Sequence, residues 1–318
     1  MVTMILRRVL HSLITLFIVS IIIFSCVRYL PGDPILLIMM ESDLSGMAPE
    51  KLEEMRAAHG LDKPIPVQYF NWLTGVFKGD LGTSIHTNMP VTYEIFRRLP
   101  ITFQVGGLAI LFGAVFGITM GVIAAVNRGR KLDQFVVFLT NLGITVPIFW
   151  LGLILMLVFG VRLGLLPVMG YTPPSENFVL HIRQLVMPVT CMMMFPAASV
   201  ARQTRSSMLE VMHQDYVRTA RSKGLKEKVV IVRHALKNGL IPVITTIGLS
   251  VPVTVGGSAA IESVFALPGM GSLLVKSVQT QDYAYVQGIV LIISAVVLIA
   301  NLLIDIAYGW IDPRIRHN

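Results

Sequence analysis

Six long stretches without Asp, Glu, Lys or Arg limit what this 318-residue chain can fold into more than any other feature. Each has at least 18 residues, which as an α-helix covers roughly 27 Å, the thickness of a bilayer's hydrocarbon core. Soluble core helices are shorter, and the mean hydropathy of +0.72 also favours a membrane protein. We therefore predict an all-α membrane protein with six transmembrane helices. The stretches are Val9–Val27, Ile101–Val126, Gln134–Val161, Gln184–Ala201, Asn238–Ile261 and Tyr283–Ile304.

The positions of Lys and Arg predict how these helices are oriented. The segments on the side of the N-terminus hold 16 of the 26 positive residues, whereas the opposite side holds 10 against 12 acids. Cytoplasmic loops are enriched in Lys and Arg, so we expect both termini in the cytoplasm. The net charge of +8 then reflects topology, and no nucleic-acid partner is expected.

The chain divides by composition into three parts. The first stretch follows Arg7 and Arg8, as a signal peptide would, but it is long and lacks a small-x-small cleavage site, so we expect a retained helix. The expected parts are 1–30 with the first helix, an external cap at 31–100, and a five-helix transmembrane core at 101–318 with a cytoplasmic loop at 202–237.

Three segments of the external cap have recognisable patterns. "LPGDP" (Leu30–Pro34) is expected to end the first helix in a turn. "APEKLEEMRAAHG" (Ala48–Gly60) predicts a short soluble helix with acids in its first turns and a terminating glycine. "PVQYFNWLTGVF" (Pro66–Phe77) predicts an interfacial helix, because aromatic residues are enriched at the membrane boundary.

Glycine and proline residues recur within the predicted spans. Gly113, Gly117 and Gly121 lie four residues apart, which places them on one helix face and permits close approach of another helix. Prolines inside the spans, including Pro147 and Pro196, predict kinks.

No catalytic residue, metal site or cofactor is predicted for this chain. Cys26 and Cys191 are expected to act as small apolar residues, and the "CMMMF" run (Cys191–Phe195) to fill packing space. His181 and His213 are expected to be surface histidines, since no HExxH or GxSxG motif accompanies them. An intramembrane enzyme is therefore disfavoured.

A basic segment separates the fourth and fifth spans. Apolar residues recur every four positions, which predicts a helix continuing out of the fourth span to a terminating Gly224. A second helix is predicted after Gly224, followed by a break at Asn238–Gly239. Binding to anionic lipid headgroups is one interpretation of this segment, and a corner gripped by a partner protein is another. The two apolar stripes are Met208, Met212, Tyr216 and Ala220, then Leu225, Val229, Val232 and Leu236.

Several motifs in a fixed order resemble those of the membrane subunits of bacterial ABC importers, in the subfamily for dipeptides, oligopeptides and nickel. They cover nearly the whole chain. The motifs are "LPGDP", "GDLGTS" (Gly79–Ser84), "DYVRTARSKG" (Asp215–Gly224), "RHALKNGLIP" (Arg233–Pro242), "FALPGMG" (Phe265–Gly271) and "DPRIRH" (Asp312–His317).

The loop departs from the pattern of the broad family, Glu-Ala-Ala, three residues, Gly. Arg218 and Thr219 stand at the first two positions, whereas Ala220 and Gly224 match, and Lys237 replaces a later proline. This variant is similar to the peptide-type subgroup, so it weakens the transfer of individual residues and leaves the family resemblance intact.

The resemblance implies the type I ABC importer permease fold in the bacterial inner membrane. Implied partners are a second homologous permease, two cytoplasmic ATPases and an external solute-binding protein. The chain has no Gly-Lys dipeptide and hence no P-loop, so ATP and Mg are expected to be used by the ATPases. Dipeptides or oligopeptides are the expected substrates, with nickel or a metal chelate, glutathione or another small solute as alternatives.

The resemblance also implies a coupling site that docks on an ATPase. Gly224 is expected to make the turn, Leu225 and Val229 to act as apolar anchors, and basic side chains to pair with acids of the ATPase. The predicted coupling residues are Asp215, Ala220, Arg221, Lys223, Gly224, Leu225, Lys226, Val229 and Leu236.

A translocation path and outer gate are expected around the fifth span. Thr254 and Ser258 offer small polar side chains that can hydrogen-bond a passing peptide loosely. Glu262, with a loop at Pro268 and Gly269, is expected near the mouth of the path, although a simple turn with an interfacial glutamate is an equal interpretation.

The alternative function from a different class is a secondary transporter driven by protons or sodium. Such transporters usually carry ionisable groups within their spans. The six stretches lack Asp, Glu, Lys and Arg, and His11 lies near a cytoplasmic end. The sequence therefore disfavours ion coupling.

Overall fold

The computed structural model describes residues 2–29, 53, 56–57 and 60–311. The predicted turn at Leu30–Pro34, nearly all of the predicted helix at Ala48–Gly60 and the terminal motif Asp312–His317 lie outside these residues.

The described part of the chain is helical, and its β-type pairing is limited to an isolated bridge between Thr83 and Pro90. The prediction of an all-α fold is confirmed. The helices are α1 (Val2–Arg28), α2 (Ile65–Phe77), α3 (Val91–Val126), α4 (Lys131–Thr145), α5 (Ile148–Leu155 with a π-helical continuation, Met156–Arg162), α6 (Phe178–Val211), α7 (Asp215–Ser222), α8 (Glu227–Val229, π-helical Val230–Leu236 and Lys237–Gly239), α9 (Ile241–Val264), α10 (Met270–Gln279) and α11 (Tyr283–Ile311).

Five of the six apolar stretches lie in single helices long enough to cross a membrane, namely α1, α3, α6, α9 and α11. The third stretch differs from the prediction, because α4 and α5 meet at an angle of 105° and are one span only if the bent pair is counted together. Pro147 causes the break: it lacks an N–H and forces the preceding Val146 into an extended conformation (ψ 126°).

The chain forms two compact units. The smaller unit contains the described residues of Val2–Ile101 together with Pro268–Leu298, and the larger unit contains Thr102–Leu267 with the described residues from Ile299 onward. The three-part division expected from composition remains a prediction.

Aromatic packing joins α1 to α2 in the smaller unit. The buried ring of Phe24 lies 5.3 Å from the Tyr69 ring and 5.7 Å from the Trp72 ring, measured between centroids. The hydroxyls of Ser20 and Tyr69 are 2.9 Å apart and share a hydrogen bond. The predicted helix at Pro66–Phe77 is therefore present as α2, with one face packed on α1.

The "GDLGTS" motif folds as a turn that is tied to the chain near α11. The amide of Gly82 donates to the Asp80 carboxylate (2.8 Å), and the buried hydroxyl of Ser84 donates to the Asp282 carboxylate (2.5 Å). Both bonds lie within the smaller unit and fix the entrance to α3.

The glycine stripe of α3 makes a close contact with α6 in the larger unit. A Cβ atom placed on Gly117 would lie 2.7 Å from the carbonyl oxygen of Ala197 and from the Cβ of Val200. At Gly121 it would lie 2.6 Å from the Ala201 carbonyl oxygen. These distances show that the absence of a side chain permits α6 to pack directly on the α3 backbone.

His181 differs from the prediction of a surface histidine, since it is only 2% exposed. Its Nδ1 lies 2.8 Å from the Thr172 carbonyl oxygen and its Nε2 lies 2.7 Å from the Gln104 side-chain amide. Burial is tolerated because both ring nitrogens have polar partners.

We predict that Gly117→Ala destabilises the protein by about 1–3 kcal/mol, because the added methyl group must push α6 away from α3. Thermal unfolding of the purified chain in detergent measures this change. Gly107→Ala is the matched control, since a Cβ there meets nothing within 4 Å. Equal melting temperatures for the two variants would contradict the close packing of these helices.

Candidate functional site

The segment between α6 and α9, residues 212–240, contains all nine predicted coupling residues and is called the α6–α9 loop. The predicted helix continuing out of the fourth span is interrupted, because α6 ends at Val211 and Gln214 is extended (ψ 148°). Asp215 then lies in the first turn of α7, where a negative charge is favourable. The apolar stripe is therefore divided between two helices.

Gly224 makes the corner of the loop, as predicted. Helix α7 ends at Ser222, and Gly224 adopts a left-handed conformation with φ of +74°, which favours glycine. The Gly224 amide donates to the Arg221 carbonyl oxygen at 2.9 Å. The chain then reverses into α8.

Buried aliphatic side chains hold the two arms of the corner together. Val217, Ala220 and Val230 form a cluster against which Val211 packs. Ala220 therefore points into the loop and supports its shape, and is not available to a partner.

The apolar positions expected after Gly224 are not the buried face of α8. Val230 and Ala235 are buried, whereas Val229 and Val232 are exposed. The cause is the π-helical stretch Val230–Leu236, whose wider turns rotate the buried face away from the positions that an α-helix would place inward.

The second arm of the loop is fixed to the first and to α6. The side-chain amide of Asn238 donates to the Tyr216 hydroxyl at 2.8 Å. A Cβ on Gly239 would lie 3.0 Å from the Met208 sulfur, so α8 packs closely on α6. Helical backbone continues through Asn238–Gly239 to Leu240, and the predicted break there is wrong. Leu236 is partly buried in this contact and is a supporting residue.

The corner itself is open, because nine consecutive residues, 221–229, are exposed. Leu225 is 41% and Val229 is 38% exposed, so two apolar side chains stand on an otherwise polar surface. Lys223 and Lys226 lie beside them. This arrangement fits a docking surface with a small apolar centre and a basic rim.

Arg221 is already engaged within the loop. Its guanidinium donates to the Glu227 carboxylate at 2.8 and 3.2 Å. This bidentate bond lowers the pKa of Glu227 and raises that of Arg221, so both groups stay charged at neutral pH. Because both are exposed, the pair contributes little to stability.

Asp133 and Arg205 form an ion pair that the sequence analysis did not single out. The two oxygens of the nearly buried Asp133 carboxylate accept from Arg205 at 2.6 and 2.9 Å, and the Gly129 amide donates to one of them at 2.9 Å. The pair ties the start of α4 to α6, six residues before α6 ends. The available sequence signal was a single acid, Asp133, close behind the basic run at 128–131.

The predicted path residues Thr254 and Ser258 lie on α9 and are buried. Thr254 donates to the Ser250 carbonyl oxygen and Ser258 to that of Val255, each at 2.8 Å. Thr254 also lines a cavity of about 600 Å³ in the larger unit, whose other lining residues include Trp150 and Met192. The walls of this cavity are almost entirely apolar.

Glu262 is fully buried near the end of α9. Its carboxylate accepts a hydrogen bond from the Thr102 hydroxyl at 2.7 Å. The expectation of an interfacial glutamate in a turn is therefore wrong, since the side chain is enclosed and helical. Pro268 and Gly269 belong to the smaller unit, where the Gly269 carbonyl oxygen accepts from Ser272 at the start of α10.

The fold is that of the transmembrane subunits of ABC transporters. It is similar to a solved structure of the MetNI methionine ABC transporter in an inward-facing conformation, with a TM-score of 0.56 and 18% identity over 69% of this chain and 97% of that chain.

Residues 117–317 match the family described as binding-protein-dependent transport system inner membrane component. Residues 1–106 match the family that describes the N-terminal region of such membrane components. The chain belongs to this family, and is thus a multi-pass permease of the inner membrane and a non-enzymatic subunit. The expected family is confirmed.

Two relatives match the chain along its length. A protein of Brucella abortus (strain 2308), provisionally named a peptide transport system permease protein, is 41% identical over 100% of both chains. The dipeptide transport system permease protein DppB of Escherichia coli (strain K12) is 37% identical over 100% of this chain and 99% of its own.

We predict that Arg205→Met destabilises the protein by about 3 kcal/mol, because it leaves the Asp133 carboxylate buried without its cation. Thermal unfolding in detergent measures the loss. Arg202→Met is the matched control, since Arg202 is an exposed arginine on the same helix. A melting temperature of the Arg205 variant equal to that of the control would show that the pair does not hold α6.

Proposed function

We propose that this chain is one permease subunit of an ATP-driven importer that carries dipeptides or oligopeptides across the bacterial inner membrane. The observation that carries the proposal is the match along the whole chain to relatives named as peptide and dipeptide permeases, at 41% and 37% identity. The complex contains a second homologous permease, two cytoplasmic ATPases and an external solute-binding protein. Both termini and the α6–α9 loop face the cytoplasm.

The corner of the α6–α9 loop docks in a groove of an ATPase. Leu225 and Val229 enter the groove as apolar anchors, while Lys223 and Lys226 meet acids at its rim. The anchors carry more of the affinity than the charges do, because exposed ion pairs contribute little. Arg221 is held by Glu227 and shapes the corner.

Closure of the ATPase dimer moves the loop, and the loop moves α6 and α9. The internal contacts support this transmission, since Val217 packs with Val230 and Asn238 bonds to Tyr216 across the two arms. A corner braced in this way moves as one body. ATP and Mg act in the ATPases, and this chain supplies the lever.

Passage occurs along the α9 helix. The hydroxyls of Thr254 and Ser258 are bonded to their own helix and hold a peptide only weakly. Glu262, bonded to Thr102, belongs to the outer gate.

Reconstitution tests the proposal directly. Vesicles containing this chain with its partner permease and ATPases should accumulate labelled dipeptide only when ATP and the loaded binding protein are both supplied. Nickel chelate and glutathione serve as competing solutes. Uptake without ATP, or uptake of only the competing solutes, would refute peptide import by this complex.

We predict that Gly224→Val reduces the stimulation of ATP hydrolysis by loaded binding protein about tenfold, because a β-branched residue at positive φ is strained by roughly 1–2 kcal/mol. Gly164→Val is the matched control, since Gly164 has φ of +61° and, like Gly224, nothing within 4 Å of an added Cβ. Both variants should reach the membrane in equal amounts. Normal stimulation in the Gly224 variant would reject the lever.

A further inference from the structure

A polar cavity of about 310 Å³ lies in the smaller unit where α1 ends. Its walls come from α1, from α2 and the turn at 81–85, and from the first residues of α11. Arg28, the last residue of the membrane-spanning part of α1, contributes the charged group. Because Arg28 ends a stretch long and apolar enough to cross a membrane, we expect the cavity to lie near the boundary between hydrocarbon and lipid headgroups.

Four residues that line this cavity carry unsatisfied hydrogen-bonding atoms. Five buried atoms of four lining residues have no partner: Nε and Nη1 of Arg28, Nε1 of Trp72, Nε2 of Gln287 and Oε1 of Gln68. Gln287 is only 3% exposed, so its free amide cannot turn to bulk water. Buried donors are normally paired, so a ligand with several acceptor oxygens would suit this group of residues.

Two aromatic rings flank the guanidinium of Arg28. The guanidinium carbon of Arg28 lies 5.2 Å from the ring centroids of both Phe24 and Tyr283. These rings hold the guanidinium by cation–π contact. Within the described lining the cavity holds no carboxylate, so the positive charge is not compensated there.

We propose that this cavity binds the phosphodiester group of a phospholipid headgroup. Four donor nitrogens and one positive charge suit a singly charged oxyanion with several acceptor oxygens. Gln68, whose own amide donates to Leu61 and Lys63, offers an acceptor for a hydroxyl or ammonium of the same headgroup.

The surroundings favour a lipid over a free anion. The apolar side chains of α1 that lead toward Arg28, including Ile18 and Ile22, are exposed along the helix. Phe70 and Phe77 of α2 are also exposed. Acyl chains can therefore lie along these helices while the headgroup enters the cavity.

The test is a lipid titration of the purified full-length protein, with its partner subunits where they copurify, read by native mass spectrometry. Phosphatidylglycerol should bind at one saturable site. Arg28→Gln should weaken that binding roughly tenfold or more, as expected for lost charge-assisted hydrogen bonds. Trp72→Phe, which keeps the ring but removes one donor, should weaken it less.

Controls separate this site from general effects. Arg7→Gln removes an exposed arginine near the other end of α1 and should leave binding unchanged. Arg28→Lys should restore part of the affinity, which a misfolded variant could not do. Diacylglycerol, which shares the acyl chains but lacks the phosphodiester, should not occupy the site.

Two results would overturn the proposal. Equal binding of phosphatidylglycerol by wild type and by Arg28→Gln and Trp72→Phe would show that the cavity is not the lipid site. Binding of inorganic phosphate with no binding of phosphatidylglycerol would show that the anion comes from solution. Both readouts are independent of transport and of its substrate.

Discussion

Direct backbone packing of α6 on the glycine face of α3 is the contact on which the larger unit depends. In lipid, helices gain little from burying apolar side chains, so close van der Waals contact must supply the association. Gly117 and Gly121 provide it, because the α6 backbone at Ala197 and Ala201 occupies the space that side chains would fill. α6 is thereby fixed along the part that precedes Arg205.

Once α6 is fixed, its end can act as a firm base for the α6–α9 loop. Arg205 ties that end to α4 through Asp133, and Met208 packs against Gly239 at the far end of the loop. In the proposed importer, we expect movement of the corner to reach α4, α6 and α9 together. In the proposed importer, such a connected base is what converts a movement of a partner into a movement of several spans.

The sequence predicted those features that depend on local chemistry. Apolar runs locate the spans because lipid selects them, and Gly224 marks the corner because a left-handed turn favours glycine. Features set by tertiary partners could not be predicted. Val230, the first residue of the π-helical stretch, packs with Val217 of another helix, and buried His181 has Gln104, 77 residues away in sequence, as a partner.

The polar groups on α9 have hydrogen-bond partners within the protein, whereas several of those around Arg28 do not, and this difference suits two different roles. On α9, Thr254 and Ser258 donate to carbonyl oxygens of their own helix, so they can exchange these bonds for weak contacts with a passing solute. Around Arg28 the donors have no such internal acceptors, and a ligand that satisfies them is held firmly. Firm binding suits a molecule that stays in place. It would stop a transported solute, because the solute must be bound weakly enough to leave the site again. The two proposed roles, passage along α9 and retention at the end of α1, therefore call for opposite strengths of binding.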